Sequence, residues 1–222
     1  MALERLIRVL RSHQEDPDRI YDIYRAAFAC GSPEHDRLME SLETCDQAHQ
    51  GQIRHLTGEE YANHPKIVSG GILGEYLCST DVNELSGANV HDVPEDNLKW
   101  PYARLAGRLG SEVATIADWC NRNRFKHILD KDERDQRFLE NLLLVAPITP
   151  VRIKVAEKLH NAMTPYKLGD NTWVEAEICC IQTYYLAMSK KCGGMLYNEL
   201  IEAIEALKRR ECLLPPIESK TG

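Results

Sequence analysis

Apolar residues recur at helical spacing along most of this chain, between short segments that are typical of helix starts. Near the N-terminus they fall three or four residues apart, as one helix face requires, at Leu3, Leu6, Ile7 and Leu10. Asp16-Pro17 and Ser32-Pro33 each place proline at the first helical position, where its missing N–H is not needed. No segment alternates apolar and polar residues convincingly enough to predict a strand. The sequence therefore predicts an all-α protein.

Prolines and glycines divide the rest of the chain into further helices. Pro65 and Pro101 can each begin a helix, Pro94 interrupts one, and Gly110 ends or bends one. Later helices are predicted at about 65–78, 82–90, 112–120, 132–145, 151–161, 172–190 and 194–209. The highly charged stretch 122–135 favours an exposed connection over a functional lid. We expect an N-terminal helical extension packed on the core (1–44), a helical domain (45–210) and a flexible tail (211–222).

Composition and charge exclude several classes of protein. The 222 residues suffice for one domain, and 43% hydrophobic with 27% charged residues is a soluble globular balance. A net charge of -7 argues against a nucleic-acid partner, although a local cationic pocket can still bind an anionic small molecule. The N-terminus lacks a signal pattern, and no apolar run approaches the ~20 residues that span a membrane. The eight cysteines include no Cys-x-x-Cys pair, which favours reduced thiols in a cytoplasmic protein.

Four short motifs place metal-binding and acidic residues in order along the chain. They are His64-Pro65, His91-Asp92, Glu95-Asp96 and the segment 154–161, which reads Lys-Val-Ala-Glu-Lys-Leu-His-Asn. Neighbours on a helix point about 100° apart, so the His-Asp pair can reach one ion only at a helix edge or end. A histidine near another helix start and a carboxylate from a fourth helix would complete the set. Mixed nitrogen and oxygen ligands suit Mn²⁺ or a similar divalent ion better than structural zinc.

Each motif also has an ordinary structural interpretation when it is taken alone. His64 would more often be a capping or core-edge histidine, and the His-Asp pair a hydrogen-bonded pair at a helix end. Lys154 and Lys158 lie four residues apart, so an exposed charged stripe explains them almost as well as phosphate binding. We interpret His160 as structural rather than as a ligand. The combination of four motifs favours metal-assisted hydrolysis of a phosphorylated small molecule.

With their flanking residues, the motifs resemble the hydrolase domain of the RelA/SpoT family and its small single-domain relatives. These are HD-domain helical bundles that hydrolyse the alarmones of the stringent response. The similarity begins at 48–65, where a basic residue and a Gly-containing turn precede Tyr and His-Pro. It continues with the HDxxED-like segment 91–96 and Gly-Ser-Glu-Val at 110–113, and ends at 154–164, which is similar to KLADRLHNxRT. The resemblance covers most of the chain, from about residue 45 to residue 200.

The resemblance implies a metal centre and a reaction. In that family one Mn²⁺ per chain is held by residues that correspond here to His64, His91, Asp92 and Glu157. The ion lowers the pKa of a bound water and offsets charge on the phosphoryl group. Glu95 and Asp96 are then the expected catalytic residues, which orient that water or move its proton. The implied reaction removes the 3′-pyrophosphate of ppGpp or pppGpp, which yields GDP or GTP.

The resemblance also implies the residues that hold the nucleotide. They correspond to Arg54, His55, Lys158, Asn161 and Thr164. Cationic side chains at such positions would offset phosphate charge.

Several positions depart from the family pattern. Glu157 stands where the family has Asp, and the extra methylene moves the carboxylate by roughly 1.5 Å. His55 and Met163 replace cations, and Pro94 lies inside the HDxxED-like segment. These changes leave two alternatives open: hydrolysis of another 3′- or 2′-phosphorylated nucleotide, such as an adenosine alarmone or NADPH, or a catalytically silent module that binds a nucleotide or a protein partner. The N-terminal extension could be a helical cap or the surface of a homodimer.

Overall fold

The computed structural model describes residues 2–54, 58–165 and 167–216, and these residues form helices joined by loops. Strand-like pairing in the described residues is limited to one isolated antiparallel bridge between Ile53 and Glu60. The helices are α1 (Ala2–Glu15), α2 (Arg19–Ala27), α3 (Pro33–Ala48), α4 (Asn63–Lys66), α5 (Val82–Asn89), α6 (Val93–Asp96), α7 (Tyr102–Leu109), α8 (Ser111–Cys120), α9 (Lys131–Leu144), α10 (Ile148–Met163), α11 (Asn171–Cys180), α12 (Leu186–Lys191) and α13 (Tyr197–Lys208). The predicted all-α class is confirmed.

Several helix boundaries lie where the sequence predicts them. Ser32 accepts a hydrogen bond from the His35 N–H, with Pro33 as the first residue of α3. Gly110 has a φ of 91°, which favours glycine, and separates α7 from α8. The chain leaves helical geometry after α5, and Pro94 then lies in the short helix α6. Local sequence therefore sets these ends.

The helix predicted at 65–78 consists of α4 and a π-helical segment, Ile67–Tyr76, and only the π-helical geometry was not predicted. Two glycines in this segment allow the N-terminal helices to approach it closely. A Cβ at Gly70 would lie 2.5 Å from Ile20 Cγ1, and one at Gly71 would lie 3.0 Å from Leu10 Cδ2. The packing of α1 and α2 therefore fixes the helix whose first turn carries the candidate ligand His64.

Residues of the N-terminal helices belong to the main hydrophobic core. Leu6 on α1, Tyr24 on α2 and Leu42 on α3 are fully buried in the same cluster as Leu159 on α10. A second, smaller cluster surrounds Trp100 and joins α7 and α8 to the end of α5. The predicted boundary between residues 44 and 45 falls inside α3. The division into an extension and a hydrolase domain stays a prediction.

The residues that follow α13 return to the body of the protein. Leu214 is fully buried, and its N–H donates to the Met163 carbonyl at 2.9 Å. Arg11 donates to the Pro215 carbonyl at 2.9 Å. The first part of the predicted flexible tail is therefore held in place, and residues 217–222 lie outside the described residues. Among the described helices, none combines the length and the apolar character needed to cross a membrane.

Candidate metal centre

Three parts of the fold bring polar side chains to one place. His64 lies in the first turn of α4, His91 and Asp92 lie between α5 and α6, and Glu157 lies on α10. Because the chain is not helical at the His-Asp pair, both side chains can face the same space. This is the arrangement at a helix end that the two adjacent ligands require.

The structure brings His64, His91 and Asp92 together. Each is buried and offers one donor atom, and the three atoms all lie within 4.8 Å of one another. His64 Nε2 is 3.9 Å from Asp92 Oδ2, and His91 Nε2 is 3.0 Å from Asp92 Oδ1. Two imidazole nitrogens and a carboxylate at this spacing fit a divalent cation.

His91 has the hydrogen bonding expected of a metal-binding histidine. Its Nδ1 donates to the Ala88 carbonyl oxygen at 2.7 Å, which orients the ring and directs Nε2 toward Asp92. That Nε2 is buried and makes no hydrogen bond within the described part of the chain. Burial disfavours the charged ring, but Asp92 outweighs burial and raises the pKa of His91 to about 9. The site therefore attracts positive charge.

Asp92 keeps its negative charge although it is buried. Burial disfavours the carboxylate, but the neighbouring His91 outweighs it and holds the pKa of Asp92 well below its usual range. The Tyr61 hydroxyl donates to Asp92 Oδ2 at 3.0 Å. Burial and the Asp92 charge raise the pKa of Tyr61, so the phenol stays protonated and remains a donor.

Glu157, the expected fourth ligand, lies beside this group but has another partner. Its Oε2 is 3.5 Å from His91 Nε2, and the Lys154 ammonium forms an ion pair with the same oxygen. Lys154 is 6% exposed, so it is not part of an exposed charged stripe. Burial opposes its charge, but Glu157 and Asp92 outweigh burial and raise the pKa of Lys154. A metal ion would therefore compete with a permanent ammonium for Glu157.

The two expected catalytic carboxylates have different surroundings. Glu95 Oε1 accepts hydrogen bonds from Arg122 Nε and Nη2 at 3.1 and 2.7 Å, and Oε2 accepts one from the Arg122 backbone N–H at 3.0 Å. Asn123 Nδ2 donates to the Glu95 carbonyl. Arg122 and Asn123 belong to the 3₁₀ turn Arg122–Phe125. The beginning of the charged stretch 122–135 therefore holds α6 in place and is not only an exposed connection.

Asp96 lies one helical turn after Asp92 and is open to solvent. Its backbone N–H donates to the Asp92 carbonyl at 3.0 Å, which keeps the two residues in register. The pKa of Asp96 is raised to about 6. Partial desolvation by the surrounding protein is the largest cause, and the negative charges of Asp92 and Glu95 add to it. Its carboxylate therefore holds a proton more strongly than an ordinary aspartate does.

On the expected nucleotide side, Arg54 and Asn161 are paired. Arg54 Nη2 donates to Asn161 Oδ1 at 2.7 Å, across 107 residues of sequence. Arg54 Nη1 is buried and makes no hydrogen bond to any described residue. Burial lowers the pKa of Arg54. A cationic N–H group that is buried without an acceptor is suited to an anionic ligand.

The other expected nucleotide residues are less available. Lys158 donates to both oxygens of Glu177 at 3.0 and 3.2 Å, so its charge is already balanced inside the protein. The Thr164 hydroxyl donates to the His160 carbonyl at 2.8 Å. His55 lies outside the described residues.

Two contacts that support the site were not predicted from the sequence. Arg122 carried no signal of a link to Glu95, because 27 residues separate them. His160 is buried, and its Nδ1 lies 2.7 Å from His64 Nδ1. That His160 is not a ligand stays a prediction, and its place in the Leu-His-Asn segment was the available signal for this contact.

The described residues form an all-α fold with a buried group that fits a divalent metal. In sequence, the chain is 26% identical over 154 residues to the guanosine-3′,5′-bis(diphosphate) 3′-pyrophosphohydrolase of Borreliella burgdorferi. That similarity covers 68% of this chain but only 22% of the relative, so the chain matches about a fifth of the relative's length. No protein-family model matches the chain.

A solved structure supports the same fold. It is described as a metazoan ortholog of SpoT that hydrolyses ppGpp and plays a role in starvation responses. The similarity covers 84% of this chain and 100% of that chain, with a TM-score of 0.61 and 24% sequence identity. The resemblance to SpoT-type HD hydrolases is therefore confirmed, in sequence by the bacterial relative and in fold by the metazoan one.

Proposed function

We propose that the protein is a metal-dependent hydrolase that removes the 3′-pyrophosphate of ppGpp or pppGpp, with GDP or GTP and pyrophosphate as products. The observation that carries this proposal is the buried group of His64, His91 and Asp92, whose donor atoms lie within 4.8 Å of one another. The substrate class comes from the similarity to the two SpoT-type proteins, each described as acting on ppGpp.

We assign the metal centre to one Mn²⁺ ion per chain. His64, His91 and Asp92 would hold it, and nitrogen with carboxylate oxygen suits that ion. When bound, such an ion acidifies water and offsets negative charge on the phosphoryl group. Glu157 is close enough to His91 to join the site, provided that its ion pair with Lys154 opens or shares an oxygen.

The two carboxylates of the HDxxED-like segment have separate roles in this proposal. Asp96, one turn beyond Asp92 and open to solvent, orients the attacking water and accepts its proton. Glu95 receives three hydrogen bonds from Arg122 and fixes the position of α6. Tyr61, which donates to Asp92, keeps that carboxylate directed toward the site.

Arg54 and Asn161 form the side that holds the nucleotide. The buried Arg54 Nη1 supplies a cationic donor that no described residue uses, and Asn161 holds the guanidinium in place. Together they would bind a phosphate oxygen by a charge-assisted hydrogen bond. Thr164 and His55 complete the proposed contacts, whereas Lys158 would contribute only if its pair with Glu177 opened.

The ion pair between Lys158 and Glu177 favours a second candidate substrate. With that cation already balanced, the pocket offers less positive charge for a pyrophosphate group. A nucleotide with a single 3′- or 2′-phosphate, such as NADPH, would need less positive charge from the protein than a pyrophosphate does.

A substrate panel separates the candidates. The purified protein is incubated with Mn²⁺ and with ppGpp, pppGpp, an adenosine 3′-pyrophosphate analogue or NADPH at equal concentration, and released pyrophosphate and phosphate are measured. The proposal predicts the highest kcat/KM for ppGpp or pppGpp, with pyrophosphate as the product. Phosphate release from NADPH as the faster reaction would support the second candidate, and no turnover of any substrate would favour a silent binding module.

A further inference from the structure

The candidate ligand His64 has an unusual partner on its other ring nitrogen. His64 Nδ1 and His160 Nδ1 lie 2.7 Å apart, with the ring centroids 4.9 Å apart and an angle of 21° between the ring planes. Both side chains are buried, so water does not compete for this contact. The distance is that of a short hydrogen bond, and one of the two nitrogens must therefore carry a proton.

The choice of donor decides whether His64 can bind a metal. A neutral imidazole carries its proton on one nitrogen and has a lone pair on the other. If His64 Nδ1–H donates to His160, then His64 Nε2 keeps its lone pair on the side of Asp92. If His160 donates instead, His64 Nε2 must be protonated, and a protonated nitrogen cannot be a ligand.

His91 shows the same arrangement with a different acceptor. Its Nδ1 lies 2.7 Å from the Ala88 carbonyl oxygen, which can only accept, so the donor there is fixed by chemistry. At His64, the partner of Nδ1 is the imidazole of His160 and not a backbone carbonyl. The two candidate ligands would then both expose Nε2 to the shared carboxylate.

We infer that His160 is a positioning residue, whose Nδ1 accepts the proton of His64 Nδ1 and so leaves His64 Nε2 free as a metal ligand. The inference rests on the proposed metal-dependent function. His160 lies one residue before Asn161 on α10, so the same helical turn orients a ligand of the metal and a contact of the nucleotide. It acts through His64 and not by contact with the substrate.

The first test reads the tautomer directly and needs no metal. The histidine rings of the metal-free protein are labelled with ¹⁵N and followed by long-range ¹H–¹⁵N correlation, with His64 assigned by comparison with His64→Asn. We expect Nδ1 of His64 to be protonated and Nε2 to be unprotonated. A protonated Nε2 on a neutral His64 ring would overturn the inference.

Two variants of His160 then separate positioning from packing. His160→Asn places an amide oxygen where Nδ1 was, so an acceptor is kept, whereas His160→Leu fills the space without one. We expect His160→Leu to weaken Mn²⁺ binding by about 10–100-fold, measured by calorimetry, and His160→Asn to stay within about threefold of the wild type. Thermal unfolding without metal shows whether each variant is folded.

Equal Mn²⁺ affinity in the wild type and His160→Leu would overturn the inference, as would an equal loss in both folded variants, because His160 would then matter only for packing. A failure of the proposed function looks different. If His64 shows the expected tautomer and no nucleotide is hydrolysed, the proposed reaction is wrong and the role of His160 stands.

Discussion

Single residues at the candidate metal centre differ in whether their hydrogen-bonding and charged atoms already have partners. His91 Nε2, Glu157 Oε2 and Arg54 Nη1 are buried and make no hydrogen bond to any residue that the structure describes. His91 Nε2 nevertheless has a charged partner in Asp92, and Glu157 has one in Lys154. Because burial of an unpaired polar atom costs free energy, Arg54 Nη1, which has no such partner among the described residues, indicates a position for an anionic ligand.

Replacement of Lys154 tests how the ammonium affects metal binding. In Lys154→Met, Glu157 loses its cation and a positive charge near the metal position disappears. We therefore expect Mn²⁺ to bind about tenfold more tightly, as measured by calorimetry. The control Lys158→Met removes a lysine that pairs with Glu177, and it should change Mn²⁺ affinity much less. Weaker binding in Lys154→Met than in the control would show that the ammonium supports the site instead of competing with the metal.

At this scale the sequence predicted residue types better than partners. The order of the motifs was enough to group His64 with the His-Asp pair. The contacts of Glu95 with Arg122, of Arg54 with Asn161 and of His64 with His160 were not predictable, since 27, 107 and 96 residues separate them. Such pairs depend on how helices pack, and a single sequence gives no local signal for them.

Among the secondary-structure elements, α6 is the one most directly tied to the proposed chemistry. It has four residues, which is too short to be stable alone, and Arg122 and Asn123 hold it from the 3₁₀ turn after α8. The fork of Arg122 also contributes a charge-assisted bond to the Glu95 carboxylate. The geometry of Asp96 therefore depends on a contact outside its own segment.

Arg122→Ala should release α6. We expect kcat for ppGpp to fall at least about tenfold, because small displacements of a catalytic group are costly. Hydrogen exchange of residues 93–96 should rise, and Mn²⁺ affinity should stay close to that of the wild type. The control Arg137→Ala removes a surface arginine whose partner is Glu140. It should change neither kcat nor the hydrogen exchange of residues 93–96. Unchanged hydrogen exchange and kcat in Arg122→Ala would contradict the proposed role of the Arg122–Glu95 contact.

The contact of α1 with the π-helical segment should make stability depend on pH. His13 is buried, with Nε2 2.9 Å from Glu75 Oε2. Burial lowers the pKa of His13 and Arg19 adds to this, although Glu75 and Asp16 oppose it. The folded protein therefore binds the proton less readily than the unfolded chain, whose histidine pKa is about 6.5. The stability that the neutral ring contributes is fully present above that value and is lost as the pH falls below it, through the lower pKa of the folded protein.

Urea unfolding of the wild type and His13→Gln measures this contribution. The free energy of unfolding of the wild type should fall more steeply than that of the variant between about pH 7.5 and about pH 5.5. The comparison is needed because other buried histidines titrate in both proteins. Parallel pH profiles would show that His13 does not contribute in the predicted direction.

Helix boundaries were largely predictable because prolines, N-caps and Gly110 act locally. The π-helical segments Ile67–Tyr76 and Ile181–Tyr185 were not, since both continue helices whose periodicity looks ordinary in the sequence. In the first of them, Gly70 and Gly71 lie in close contact with α2 and α1. Contacts of this kind arise from tertiary packing, which a single sequence does not show.

In the whole molecule, the N-terminal helices and α10 share one core. Leu6→Ala creates a cavity at a fully buried side chain of α1, and we expect a loss of about 2–5 kcal/mol in the free energy of unfolding. Because the core is shared, one cooperative transition should remain. The control Leu129→Ala changes a side chain that is 94% exposed, and it should have little effect. A separate transition for the N-terminal helices would contradict a shared core.

The overall class was predictable because helical spacing and motif order both point to it. The extent to which α1, α2 and α3 enter the core was not, because an amphipathic helix can cover a domain or form a subunit interface with the same pattern. A homodimer therefore remains a prediction. The cytoplasmic location also remains a prediction.

We propose that His64, His91 and Asp92 hold a divalent metal that is required to release pyrophosphate from ppGpp. The most direct measurement combines metal content by mass spectrometry with a Mn²⁺-supplemented pyrophosphate-release assay on the same preparations of wild type and Asp92→Ala. We expect one Mn²⁺ per wild-type chain with turnover, and loss of both in Asp92→Ala while circular dichroism shows a folded protein. A wild type that takes up no Mn²⁺, or an Asp92→Ala variant that still releases pyrophosphate at the wild-type rate, would contradict it.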